Sequence, residues 1–156
     1  MNDTIFFSFL IGFLSGLRSL TPPAVTGWAV YLGWLKPDRP FSLIGSVAAA
    51  VTFTVLAVAE LIADKLPKTP NRTSLPGLIA RIVMGALTGS CIAASGDANA
   101  MIGGFVGIAG AVAGTFAGFK ARIGIVRGLR LPDVVVALLE DLIAIGGSLW
   151  VTSQVG

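Results

Sequence analysis

The sequence predicts an all-α membrane protein, a single domain over residues 1–156 that forms a bundle of five or six transmembrane helices. Hydrophobic residues make up 54% of the chain and charged residues 12%, a balance that excludes an ordinary soluble domain. A helix needs about 20 apolar residues to cross a bilayer. Four segments approach or exceed this length, at approximately 41–59, 78–96, 101–119 and 131–155.

The first 35 residues contain two shorter apolar runs, 5–17 and 24–35, on either side of a proline-containing interruption. Two consecutive prolines break or kink a helix. Irregular backbone at membrane depth is tolerated where it is buried in protein or lines a cavity. One broken helix, a re-entrant hairpin and two short spans all fit this pattern, so the count of five or six spans stays open. We expect part of a cavity to be formed by Thr21, Pro22 and Pro23.

The basic residues indicate the orientation of the chain. Eight of the eleven lie in two segments, 65–81 and 120–130. Because basic residues concentrate in cytoplasmic loops, we expect a multi-pass protein of the inner (cytoplasmic) membrane. Its loops near residues 64–77 and 120–131 are then cytoplasmic and its C-terminus is outside, while the side of the N-terminus stays open. This topology also accounts for the net charge of +3, so we predict a lipid-bilayer partner and no nucleic acid.

Glycines recur at helical spacing in the 101–119 segment. They form two sets, Gly103 with Gly107, and Gly110 with Gly114 and Gly118. Residues four apart share one face of a helix, and small residues there let a second backbone approach closely. We therefore favour a helix–helix interface over a pore lining, and we expect a homo-oligomer formed through these glycine-rich faces.

A weak internal repeat links the first segment with the 101–119 segment. The two motifs are Gly12, Gly16 and Arg18 in one, and Gly114, Gly118 and Lys120 in the other. In a five-span bundle these two helices run in opposite directions, which is the relation expected of an inverted repeat.

Glu60 and Glu140 are the two glutamates of the chain, and both lie within apolar stretches. An ionisable side chain at the centre of a membrane helix costs about 2.5 to 3.5 kcal/mol, so it persists where a partner, a cavity or a function compensates. At 1.5 Å per residue, each lies roughly 9 to 12 Å from the cytoplasmic end of its helix. The two helices are antiparallel, so we predict one shared acidic site that also includes Asp64 and Asp141.

The same carboxylates have a structural interpretation. Arg81 lies at a depth comparable to that of Glu140 and Asp141, so one ion pair with Arg81 is expected in this case. Asp64, near the interface, is then solvated or paired with Lys65, Lys68 or Arg72. Asp133, which follows a proline, more simply starts and caps a helix.

Three stretches of the sequence resemble an uncharacterised family of small bacterial integral membrane proteins that carries a domain-of-unknown-function label. They are GLRSLTPPA (16–24), AELIADKLPKTPNRT (59–73), and LPD (131–133) with ALLED (137–141). The resemblance covers nearly the whole chain. It implies membership of the family and brings no substrate, activity or catalytic residue.

We expect a small transporter or channel for an ion or small solute, with a binding site formed by Glu60, Asp64, Glu140, Asp141, Arg18 and Arg81. The alternative is a lipid-binding or scaffold protein whose carboxylates form structural ion pairs. Its headgroup-binding bases would be Lys65, Lys68, Arg72, Arg127 and Arg130. An intramembrane enzyme ranks third, because the sequence has no histidine and shows no nucleophile–base constellation. We expect no cofactor.

Overall fold

The computed structural model describes residues 2–66 and 73–156, and in these residues it contains helices and no strands. The six α-helices are α1 (Asn2–Leu17), α2 (Thr21–Tyr31), α3 (Val47–Ala63), α4 (Leu75–Ser95), α5 (Ala100–Leu129) and α6 (Asp133–Val155). A short 3-10 helix, Phe41–Gly45, precedes α3. The all-α prediction is confirmed.

The helices run alternately between two ends of the molecule. One end, which we call the charged end, holds Arg18, Asp64, Arg122 and Asp141 in mutual ion pairs. At the opposite end, Thr4 donates a hydrogen bond to the carbonyl of Gly96 at 3.3 Å, and Gly156 packs against Trp34. Helices α1 and α2 therefore form a hairpin, whose turn at residues 18–20 (the α1–α2 turn) lies at the charged end.

Within the part of the chain that the structure describes, three helices are long and apolar enough to cross a membrane, namely α4, α5 and α6. The apolar helices Asp3–Leu17 and Val47–Ala63 are shorter. These lengths support a membrane protein, and the total of five or six spans stays a prediction.

Local sequence explains where several helices begin. The Ser46 side chain accepts a hydrogen bond from Ala49 N at 3.2 Å at the start of α3, and the Asn99 side chain accepts one from Met101 N at 2.9 Å at the start of α5. Helix α2 has proline in its first turn, where a missing N–H costs nothing. Its N-cap residue, Leu20, supplies no side-chain cap, so acceptors for the first N–H groups of α2 must come from elsewhere.

Helices α1, α4 and α5 pack backbone against backbone through glycines. A Cβ on Gly12 would overlap the backbone of Gly107, and a Cβ on Gly89 would overlap the backbone of Gly103. The predicted use of these glycine faces in helix–helix contact thus occurs inside one chain. A homo-oligomer stays a prediction, and it needs a surface other than these buried glycines.

The directions of α1 and α5 differ from the expectation. Gly12 contacts Gly107 and Gly16 contacts Ala111, so the two helices run parallel. We expected opposite directions because the five-span prediction counts a single span before residue 41. The hairpin instead contributes two helices, α1 and α2, which reverses the relation. This pair therefore lacks the antiparallel relation on which the inverted repeat was based.

Two predicted boundaries are also wrong. The 41–59 segment is not one helix, because residues 41–45 form a 3-10 helix and Ser46 caps α3 only from Val47 onward. The predicted loop at 120–131 is mostly helical, since α5 continues to Leu129 and ends where Arg130 adopts a left-handed backbone with φ of 52°. A helix of 30 residues is about 45 Å long, more than a bilayer requires.

Candidate functional site

The charged end is organised around the α1–α2 turn. Arg18, the first residue of the turn, is fully buried. Its guanidinium lies 2.6 Å from Asp141 Oδ1 on α6 and 2.6 Å from Asp64 Oδ2 at the end of α3, and its Nε donates to Asp141 Oδ1 at 2.7 Å. One arginine thus joins the hairpin to α3 and α6. Because both carboxylates are largely buried, the contacts act in a low dielectric, where an unpaired charge would be costly.

Glu60 supplies the missing cap of α2. Its carboxylate accepts hydrogen bonds from Ser19 N at 2.9 Å, from Ser19 Oγ at 2.6 Å and from Leu20 N at 2.9 Å. The N-terminus of a helix carries a partial positive charge, so a carboxylate there is favourable. Glu60, 40 positions along the chain from Leu20, thus satisfies backbone N–H groups just before α2, whose N-cap residue supplies no side-chain cap.

The other side of the turn receives a cation. Arg81 Nε donates to the carbonyl of Gly16 at 3.1 Å, and Thr115 Oγ1 donates to the same carbonyl at 3.3 Å. Gly16 is in the last turn of α1, where carbonyls lack partners within the helix and the dipole is negative. The ends of α1 and α2 that meet at the turn are therefore contacted by side chains of opposite charge.

Arg122, on α5, links three carboxylates, one of which, Asp64, also binds Arg18. It donates to both oxygens of Asp133 at 2.7 and 2.6 Å, to Asp64 Oδ2 at 2.8 Å and to Glu140 Oε2 at 3.4 Å. The paired contact with Asp133 has the fork geometry that makes arginine–carboxylate pairs strong. Lys65 completes the described cluster by donating to Asp141 Oδ2 at 2.8 Å. The side chains joined in this way form what we call the ion-pair cluster: Arg18, Asp64, Lys65, Arg122, Asp133, Glu140 and Asp141.

Asp64 lies just beyond α3, between Arg18 and Arg122. Burial raises the pKa of its carboxyl, but the hydrogen bond from Arg122 and the charge of Arg18 outweigh burial and hold the pKa at about 2. Asp64 is therefore ionised over the whole physiological pH range.

The predicted shared acidic site is only partly present. The four carboxylates converge on one region, but each meets its own donors. Glu60 binds backbone N–H groups of the turn, whereas Glu140 lies beside Arg122 and 3.9 Å from Arg18. The arginine expected to pair with Glu140 or Asp141 was Arg81, yet Arg18 and Arg122 take that position.

The remaining predicted residues have varied surroundings. Asp64 pairs with Arg18 and Arg122, and Lys65 is occupied by Asp141. Lys68 and Arg72 lie outside the described residues. Asp133 does start α6, but its side chain pairs with Arg122 instead of capping the helix. The three residues expected to form a cavity are buried in the first turn of α2: Thr21, Pro22 and Pro23.

Sequence reasoning gave no site role to Arg122, because it stood in a basic segment interpreted as a loop. The signal that could have found it is the absence of proline between residues 119 and 131, together with apolar residues at Ile123, Ile125 and Val126 that continue the helix. In contrast, Lys120, Arg127 and Arg130 are exposed at the charged end of α5.

The described residues border a groove of about 350 Å³ between α1, α5 and α6. A pocket of about 530 Å³ lies at the end opposite the charged end, beside Trp34 and Lys36. Within the described residues, no group of three or more His, Cys, Asp or Glu side chains is placed to hold a metal ion.

Comparison with known proteins gives one match. The model of a family described as a domain of unknown function (DUF4126) matches residues 5–153. No curated protein and no solved structure matches the chain.

Proposed function

The chain belongs to the DUF4126 family, and we propose that this member is a lipid-binding membrane protein whose carboxylates at the charged end are structural. The observation that carries the proposal is that those carboxylates already have partners within the protein. Asp64 and Asp141 lie 2.6 Å from the buried guanidinium of Arg18, and Glu60 accepts three hydrogen bonds at the turn. Carboxylates bound in this way hold the α1–α2 hairpin, α3 and α6 together, and they have little freedom to bind a solute.

The charged end also offers bases that are not used in this way. Lys120, Arg127 and Arg130 are exposed, and no ion pair involves them among the described residues. Exposed bases at the membrane surface attract anionic lipids, by about 1 kcal/mol each. Arg127 and Arg130 therefore support anionic headgroup binding, whereas Lys65 is occupied by Asp141.

The proposed topology follows from the alternating helices. The basic residues of the charged end support a cytoplasmic location for it, because such residues concentrate on that side. The N-terminus of α1 and the C-terminus of α6 lie at the opposite end, so the proposed topology has both on the outer side of the membrane. A cysteine-accessibility assay with Cys91→Ala as the background tests this orientation from each side of the membrane.

Lipid retention tests the proposed function. Arg127→Gln with Arg130→Gln should lower retention of phosphatidylglycerol, measured by native mass spectrometry, by roughly tenfold or more, since each base contributes about 1 kcal/mol. The matched control is Lys36→Gln with Arg39→Gln, which removes two exposed bases from the opposite end. Equal retention by both double variants would contradict the proposal.

A second candidate is transport of an ion or small solute, favoured by the position of Glu140. It borders the groove between α1, α5 and α6, so it lies beside a cavity. Acidic residues within membrane helices commonly mark pathways of protons, ions or solutes. Purified protein in liposomes should then show a flux of protons, cations or a small solute that Glu140→Gln abolishes and Asp38→Asn, at the opposite end, leaves unchanged. Absence of flux across such a screen would remove this candidate.

A further inference from the structure

The groove between α1, α5 and α6 owes its existence to small side chains. On α5 its wall includes Ala117, Gly118 and Ala121, and Ala121 is a surface neighbour of the other two at spacings of four and three. These residues leave an open trough where larger side chains would fill the space against α6. The opposing wall on α6 is apolar and branched, with Val136, Leu139 and Ile143.

The position of the groove limits what can occupy it. Helices α5 and α6 are both long and apolar enough to cross a membrane, and Ala117, Leu139 and Ile143 are exposed on the bundle surface. The medium beside an exposed apolar surface of such helices is lipid hydrocarbon. An unfilled gap in this medium forfeits dispersion contacts, and lipid chains are what is present to restore them.

The polar residues of the groove lie towards the charged end. Arg122 and Glu140 border it, and along α5 the lining ends at Ile125. Arg127 follows about 3 Å further along the axis, at 1.5 Å per residue. If an acyl chain lies in the groove, the lipid headgroup is therefore at the level of exposed bases such as Arg127. The positive charge of these bases complements the negative charge of a lipid phosphate.

We infer that this groove is a specific binding site for one acyl chain of an anionic phospholipid. The inference rests on the proposed lipid binding and deepens it. It assigns the acyl chain of the lipid to a groove that is separate from the bases proposed to bind the headgroup. Its volume, about 350 Å³, is at the lower end of the roughly 300 to 1,000 Å³ typical of ligand sites. One chain, and not a whole lipid, fits such a space.

Photocrosslinking tests the site. The full chain is reconstituted in liposomes that contain phosphatidylglycerol with a diazirine in one acyl chain, and the adducts are mapped by mass spectrometry. Adducts should concentrate at Leu139 and Ile143 relative to Val51 and Val55, which are exposed apolar residues on α3. Equal labelling of the two pairs would overturn the inference.

Substitutions that fill the groove provide the second measurement. Ala121→Trp should lower adducts at Leu139 and Ile143 to the level seen on α3. Ala109→Trp, at an exposed alanine of the same helix outside the groove lining, should leave them unchanged. Thermal denaturation checks that both variants fold. If Ala121→Trp does not fold, Ala117→Leu replaces it as a milder groove-filling variant. Groove adducts that persist in a folded groove-filling variant would overturn the inference.

A phosphatidylcholine probe with the same diazirine chain separates the two proposals. Stronger groove labelling by phosphatidylglycerol supports both. Equal groove labelling by the two lipids, lost with Ala121→Trp, supports the chain site and contradicts an anionic headgroup site. Loss of phosphatidylglycerol preference with Arg127→Gln, combined with uniform labelling over all helices, supports the headgroup site and removes the groove.

Discussion

The α1–α4–α5 core and helix α3 are held in the molecule by different forces. In the core, glycines let three backbones touch, so the contact is close packing along much of each helix. Helix α3 packs mainly on α2 and the 3-10 helix, and its charged end is attached through Glu60 and Asp64. Apolar surface gives no driving force between helices in lipid, so association needs either close packing or polar contacts. This chain uses one in the core and the other at its periphery.

The largest expected effect comes from breaking the glycine core. Gly107→Leu places a side chain on α5 against the backbone of α4 at Gly85 and Gly89, so the two helices must separate. We expect a loss beyond the roughly 1 to 3 kcal/mol of ordinary overpacking, and therefore little folded protein. Size-exclusion chromatography and thermal denaturation in detergent measure it. Gly124→Leu is the control, since a Cβ at Gly124 meets nothing within 4 Å, and an unfolded Gly124→Leu would show that helix α5 tolerates no bulk anywhere.

Next in size is the removal of the central cation. Arg18→Met leaves Asp64 and Asp141 short of their buried partner, and breaking a buried pair costs about 3 to 5 kcal/mol. Adding Asp64→Asn and Asp141→Asn should restore part of this stability, because the uncompensated charges disappear. Chemical denaturation in detergent measures the difference, with Arg39→Met at the opposite end as the control. If Arg18→Met were as stable as Arg39→Met, the ion-pair cluster would not be structural.

The smallest effect should follow from loosening α3. Glu60→Gln replaces a charged acceptor at the start of α2 and should cost about 2 kcal/mol, against about 1 kcal/mol for Thr54→Val, which removes the neutral hydrogen bond from Trp28 on the same helix pair. Hydrogen exchange at residues 19 and 20 should rise with Glu60→Gln and stay low with Thr54→Val. Equal exchange in both variants would mean that the cap is not what fixes the turn.

Residue chemistry made the carboxylates predictable but not their partners. A glutamate in an apolar stretch signals itself by its cost, so Glu60 and Glu140 stood out at once. The groups that bind Glu60 are backbone N–H groups of the α1–α2 turn, and every residue has such a group, so no side-chain pattern marks them. Arg18 is similar, because its pairing with Asp141 in addition to Asp64 depends on the hairpin bringing the turn beside α6.

Predicted helix ends agree best with the structure where a proline or glycine marks them. The segment predicted at 78–96 overlaps α4 up to its last residue, Ser95, and the segment at 131–155 nearly coincides with α6, because Gly96 and Pro132 mark clear ends. Basic charge was a weaker guide to structure. It predicted a cytoplasmic side for residues 120–130, which stays a prediction, but it did not reveal that they are helical, because a helix can carry bases as well as a loop can and α5 does so.

The buried turn also constrains how the protein is made. Arg18 emerges from the ribosome early, and its partner Asp141 comes 123 residues later. At roughly 5 to 20 residues per second, that delay is on the order of ten seconds. During this time the first hairpin cannot reach its final contacts, so its arginine must stay near water or the lipid headgroups. The last helix to be synthesised is therefore the one that allows the first to settle.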